Sequence, residues 1–139
     1  MGTLPSDLSL SKKQYYANPS NDFWKLIGAA LNHHLDGLSY ESKLEMLKSH
    51  EIGLWDTYHN CVRPGSMDKD IGKRELNDFS SLKALAPKLR LVCFNGKEAA
   101  KSEGLMLGLG YVTRVLLSSS SANRTNSEER LRHWKSIVR

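Results

Sequence analysis

The chain has 139 residues, 40% apolar and 25% charged, which is enough for one buried core and ordinary for a globular protein. Its formal net charge is +5, and no apolar run approaches the roughly 18 residues of a membrane-spanning helix. Cys61 and Cys93 lie far apart with no C-x-x-C pair, so they read as free thiols and not as ligands of zinc or an iron–sulfur cluster.

The start, residues 1–13, is polar and turn-rich, and with Pro5 and Asp7 it has no signal-peptide pattern. The stretch from Gln14 to Lys25 then reads as a loop that turns into a helix. Asn18 suits an N-cap, and Pro19 suits the first helical position, where its missing N–H is not needed. Phe23, Leu26, Ile27, Ala30 and Leu31 follow at i, i+3, i+4, i+7 and i+8, which predicts a helix from Pro19 to about Leu35, stopped by Gly37. Asn21 falls in its first turn, near the unsatisfied N–H groups. Two aromatics (Tyr15, Tyr16) and two carboxamides (Asn18, Asn21) thus gather at one helix N-terminus, a floor suited to a flat, polar ligand.

A second helix is predicted over Tyr40–Ser49, with Leu44, Met46 and Leu47 as its apolar side. Ile52–Tyr58 reads as a buried strand and His59–Asp68 as a loop. Phe79, Leu82 and Leu85 space a short helix that stops at Pro87. Leu89–Phe94 is the clearest strand, closed by Asn95-Gly96. Lys97 to about Leu105 reads as helix, and Gly104, Gly108 and Gly110 mark a loop. Tyr111–Leu117 is the last strand and Ser118–Asn126 a polar loop. Thr125 and Glu128 form a capping box before a terminal helix with Leu131, Trp134 and Ile137 on one face. Strands separated by helices predict an α/β fold with a parallel sheet and right-handed crossovers, in which ligands bind beyond the C-terminal strand ends.

The basic surplus is concentrated. Arg114, Arg124, Arg130, Arg132, Lys135 and Arg139 stand against Glu128 and Glu129. This suits a polyanion partner, and it equally describes a solvated helix face. His33 and His34 are adjacent, so they diverge on a helix and do not act as joint ligands. No H-E-x-x-H, G-x-S-x-G or Walker loop is present.

Several stretches together resemble the uracil-DNA glycosylase superfamily. Y-Y-A-N-P-S-N-D-F-W-K resembles its Y-A-H-P-x-N-x-F-W-K, and I-G-L-W-D-T its I-A-L-W-D-V strand. C-V-R-P-G-S-M-D, N-D-F and F-N-G-K-E-A also match in order, so the resemblance covers nearly the whole chain. It is closest to the hypoxanthine-DNA (deoxyinosine) branch, then to the mismatch-specific uracil-DNA glycosylases. It implies a three-layer α/β/α sandwich with a short, mostly parallel sheet, as one domain over residues 1–139. Gly2-Thr-Leu-Pro5 resembles the G-S-M-P loop that follows the family's first strand. No apolar strand precedes that glycine here, so the first strand is expected to be missing, through a misplaced start, an N-terminal truncation or a sheet rebuilt some other way.

The resemblance also implies site residues. Asn21 matches the asparagine that matters for activity in the hypoxanthine branch. A carboxamide is no general base, but it can orient a water or bond a purine edge. The plainer reading of Asn21 is an exposed polar residue in a first turn. Tyr16 matches an aromatic that stacks on the flipped base, and it reads equally as an ordinary core aromatic; Asn18, Leu4 and Pro5 would line the base pocket. Leu4 stands where uracil-specific relatives carry a catalytic asparagine or aspartate. Asn95 either reads the base edge or shapes an Asn-Gly turn. Leu116-Leu-Ser-Ser-Ser-Ser-Ala-Asn123 resembles L-P-S-T-S-P-A-N, which grips the DNA backbone and supports the wedge that fills the vacated base position, so Ser118, Ser119 and Ser120 would contact DNA and Asn123 or Arg124 would be the wedge, with a plain phosphate-contacting Arg124 as the alternative. Leu117 and Ser121 replace the family prolines, leaving that loop freer. His59 and Asp68 are minor candidates on a second active-site loop.

The implied protein is a monomeric, monofunctional repair glycosylase of the cytoplasm, at the bacterial or archaeal nucleoid. It would flip a deaminated base (hypoxanthine, with uracil and xanthine as alternatives) out of DNA and excise it with water, needing no metal or organic cofactor. The alternatives are a catalytically impaired DNA-binding member of the superfamily, and a small α/β interaction protein with no nucleic-acid role.

Overall fold

The computed structural model describes residues 1–2, 14–61, 74–76 and 79–138. Among these the elements run α1 (Phe23–Leu31), α2 (Tyr40–Ser49), β1 (Tyr58–Cys61), β2 (Arg74–Leu76), α3 (Leu82–Leu85), β3 (Leu91–Asn95), α4 (Glu103–Gly108), β4 (Val112–Leu116) and α5 (Ser127–Lys135). Short 3₁₀ stretches cover Ala99–Ser102 and Ser121–Asn126. The chain is α/β, as predicted, and no described helix is long and apolar enough to cross a membrane. It divides into two compact units, Met1–Leu4 with Trp55–Val115 and Pro5–Leu54 with Leu116–Arg139.

In the first unit, β3 and β4 pair in parallel across a crossover that contains α4. β3 alternates as a one-sided strand should, with Val92 and Phe94 buried and Leu91 and Cys93 only partly so. Phe94, Ala99 and Met106 have no exposed surface, and Phe79, Leu82 and Tyr111 close the core around them. The predicted helix from Lys97 starts as a 3₁₀ turn and then runs three residues beyond Leu105. Gly104 and Gly108 therefore lie in helix and not in a loop, because packing of Met106 overrides their poor helix propensity. Only Gly110 turns the chain, at φ 92°, a conformation that favours glycine.

The expectation of a missing first strand changes in detail. Met1 and Gly2 make one parallel rung on each side. The Asn95 N–H donates to the Met1 carbonyl at 2.8 Å, and the Met1 ammonium donates to the Cys93 carbonyl. The Gly2 N–H donates to Trp55 at 3.0 Å, and Thr57 donates to Gly2 at 2.8 Å, a parallel bridge opposite Asp56. The expected strand over Ile52–Tyr58 is reduced to this bridge. Regular pairing begins later, where β1 meets β2 antiparallel with an irregular register between Tyr58 and Asn60. His59–Cys61, expected in a loop, thus belong to a strand.

In the second unit α1 packs on α5, with Phe23 edge-on to Trp134 at 5.6 Å between ring centroids. Leu26, Ile27, Ala30 and Leu31 are buried, as their spacing predicts. The ends of α1 differ from the prediction. It starts at Phe23 because Asn18 folds a local turn instead of capping: its Oδ1 accepts from the Ser20 N–H at 3.0 Å and the Ser20 hydroxyl at 2.8 Å. It stops before Asn32, which is left-handed at φ 58°, and so well short of Gly37. The His33 N–H then bonds back to the Gly28 carbonyl at 2.9 Å. A Cβ on Gly28 would lie 2.6 Å from the His33 carbonyl oxygen, so only glycine fits. α2 has its predicted bounds, with Ser39 capping the Ser42 N–H at 3.2 Å. Of its predicted apolar side only Leu47 is buried.

Burial pushes the Asp56 carboxyl up to about 6, against the opposing pull of the Met1 ammonium. The native state therefore holds this proton more tightly than the unfolded chain does. The Asp56 contribution to stability should fall as pH rises from about 4 to about 6 and then stay constant, by roughly 3 kcal/mol for a shift of two units. Asp56→Asn should flatten that window in urea titrations at stepped pH. An unchanged slope in the variant would show that another group is responsible.

Candidate functional site

The amide of Asn21 sits just before α1, half-buried. Its Oδ1 accepts from the Phe23 N–H at 2.9 Å and from the Ser119 hydroxyl at 2.8 Å. The backbone N–H of Phe23 can only donate, so it fixes which end of the amide faces it. Both Oδ1 lone pairs are then used. The two Nδ2 hydrogens point the other way, and among the described residues no acceptor for them is found. The helix end thus receives its cap from Asn21. The side chain of Asp22, in the N-cap position, makes no capping bond.

Asp22 is engaged elsewhere. Its carboxylate meets the Arg130 guanidinium at 2.8 Å, with both side chains less than one-tenth exposed. The other terminal nitrogen of Arg130 donates to the Ser118 and Ser120 carbonyls at 3.3 and 3.4 Å. The Asp22 N–H donates to the Ser119 carbonyl at 2.9 Å. The Trp134 indole N–H donates to the Leu117 carbonyl at 2.8 Å. Four consecutive carbonyls of the serine loop are therefore held by α5 and by the entry to α1.

Within the loop, the Ser118 hydroxyl accepts the Ser120 N–H at 3.2 Å and the Ser120 hydroxyl accepts the Ala122 N–H at 3.3 Å. Each can still give its own hydrogen to an outside acceptor. Ser119 is different: it has no exposed surface, and its hydroxyl points to Asn21. The expectation that it contacts DNA does not fit this position. Asn123 donates from Nδ2 to the Ser118 carbonyl at 3.1 Å, so its side chain braces the loop.

Tyr16 is left-handed at φ 53°, a costly conformation for an aromatic residue. Its ring stacks on Phe23 at 3.9 Å and 13°. Beside it the Tyr15 N–H donates to the Tyr40 hydroxyl at 3.1 Å. Asn18 is occupied by its own turn.

Tyr16, Asn18, Asn21, Ser118–Ser120 and Asn123 thus lie in one unit. Asn95 belongs to the other, where it ends β3 and its N–H bonds Met1 ahead of the φ 97° turn at Gly96. Leu4, Pro5, Asp68 and the side chains of His59, Arg124 and Thr125 lie outside the described residues. Among the described residues no cluster of three metal-binding side chains occurs.

Sequence reasoning missed Asp22 and Arg130. Arg130 counted there as part of a basic surface, whereas it is buried. One signal was available: Arg130 and Trp134 are four apart, so they share a helix face. Removing one member of a buried pair strands the other charge. Arg130→Met should destabilise the protein by about 3–5 kcal/mol in urea titration, and Asp22→Leu combined with Arg130→Met should lose less. A double variant as unstable as the sum of the singles would contradict this account.

No family model matches the chain. Over its whole length it is 52% identical to the hypoxanthine DNA glycosylase of Methanosarcina acetivorans, covering 88% of that protein. It is 45% identical over 134 residues to the hypoxanthine DNA glycosylase of Methanosarcina barkeri, covering 96% of this chain and 85% of that one. The solution NMR structure of a candidate uracil DNA glycosylase from Methanosarcina acetivorans matches with a TM-score of 0.90 at 52% identity, over 99% of this chain and 85% of the other. Identity and coverage of this order decide the family: the chain belongs to the hypoxanthine DNA glycosylases of the uracil-DNA glycosylase superfamily.

Proposed function

We propose that this protein is a monofunctional glycosylase that excises hypoxanthine from DNA by hydrolysis. The flipped nucleotide loses its base as the C1′–N9 bond breaks. The electron pair of that bond leaves with the base. Water supplies the new C1′–O bond, and its proton is passed to the departing base or to solvent. An abasic site remains. We place this activity, as that of a monomer, on chromosomal DNA in the cytoplasm.

The observation that carries the proposal is the locked amide of Asn21. With Oδ1 saturated by Phe23 and Ser119, Asn21 has only donors to offer. Donors suit a base that gathers negative charge as it leaves, and they suit poorly a water that must give up a proton. Asn21 therefore acts on the leaving group. Tyr16, its ring backed by Phe23, supports the base by stacking. The Ser118 and Ser120 hydroxyls donate to DNA phosphates, and the formal charge of +5 adds a salt-dependent attraction.

Single-turnover assays on duplexes carrying one deoxyinosine, uracil or xanthine test this. The wild type should release hypoxanthine fastest, and Asn21→Ala should slow release at least about 100-fold, the scale of losing an oriented donor in a water-poor site. A folded wild type that binds duplex and releases no base would leave the impaired DNA-binding reading in its place.

A further inference from the structure

Ser119 belongs to a run of serines whose family pattern points to the DNA backbone. Its placement is incompatible with that use. It is fully buried, and one residue makes contacts to two successive residues of the α1 entry. Its hydroxyl donates to Asn21 Oδ1 at 2.8 Å, and its carbonyl accepts from the Asp22 N–H at 2.9 Å. The carbonyls on either side of it, Ser118 and Ser120, are held by Arg130. Arg130 in turn is held by Asp22. The loop therefore has little freedom to withdraw Ser119 from the amide.

We infer that Ser119 is a positioning residue for Asn21, the hydroxyl that fixes the rotation of the catalytic amide so that its Nδ2 hydrogens face the departing base. The inference rests on the reading of Asn21 given above. An amide turns about its last side-chain torsion, which has broad minima. With two donors on Oδ1, at Phe23 and Ser119, that rotation is pinned from two directions. With Ser119 shortened to alanine only the Phe23 N–H remains, and the amide can swing about that single bond. A donor aimed at a transition state is useful only within a narrow angle. The Ser118 and Ser120 hydroxyls are untouched by this change, so the grip on DNA should persist.

The test separates rate from affinity. In Ser119→Ala the single-turnover release of hypoxanthine should fall about 10- to 100-fold, while duplex affinity stays within about threefold of the wild type. The Asn21→Ala/Ser119→Ala double variant should be no slower than Asn21→Ala, because a positioning residue has nothing left to position. A merely structural role would not give that non-additivity. A Ser119→Ala rate within twofold of the wild type overturns the inference and leaves the glycosylase reading intact, and so does a double variant slowed by both factors. A wild type that releases no base overturns the glycosylase reading and this inference with it. Should Ser119→Ala fail to fold, Ser119→Cys keeps the volume with a much poorer donor and is held to the same rate criterion. Loss of folding in both would make Ser119 structural only and end the proposal.

Discussion

The Asp22–Arg130 ion pair fixes how the serine loop lies against the entry to α1. Both groups are almost stripped of water, which costs several kcal/mol per ion before anything is returned. The 2.8 Å contact and the two bonds from Arg130 to loop carbonyls recover much of that. The recovery is incomplete, since Arg130 Nε is buried with no partner among the described residues. An apolar pair of similar volume would serve stability at least as well. It would not aim at a carboxylate and two carbonyls at once. A lysine would not do so either, because its point charge lacks the planar fork. The pair fixes where the serine loop lies more than it holds the fold together.

Around that pair the aromatic packing sets the local dielectric. Phe23 touches Tyr16 on one side and the edges of Trp24 and Trp134 on others. Water is kept from the buried side of the α1 entry, so hydrogen bonds there are stronger than they would be at the surface. The group chosen for the exposed side is neutral. A carboxamide keeps its donors across the whole pH range in which DNA is intact. A carboxylate in the same place would have only acceptors to offer at neutral pH.

The elements with strong periodicity were legible in the sequence. α2 has its predicted bounds, and the buried stripe of α1 matches residue for residue. Its start was misread because Asn18 and Asn21 are both credible caps, and the local turn at Ser20 decides between them. Gly104 and Gly108 misled for a similar reason: propensity is a weak prior beside the burial of Met106. For the candidate site, motif resemblance pointed to Asn21, Tyr16 and the serine loop, which lie in one unit. It did not separate Ser119 from its neighbours, since four serines in a row carry no mark of which one turns inward. Nor did composition distinguish Arg130 from the exposed arginine beside it at Arg132. Those distinctions depend on contacts between residues far apart in the chain.

That distance has a consequence for how the protein is made. Asp22 and Arg130 are 108 positions apart, and Asn21 and Ser119 are 98 apart. During synthesis the aromatic entry to α1 leaves the ribosome long before the segment that clamps it. The nascent chain can form α1 and α2 from local contacts, but the amide of Asn21 stays unclamped until the serine loop and α5 arrive. The clamped arrangement is thereby reserved for chains translated through Arg130. A polypeptide stalled or cleaved earlier would present the aromatic entry to α1 without the contacts that orient Asn21.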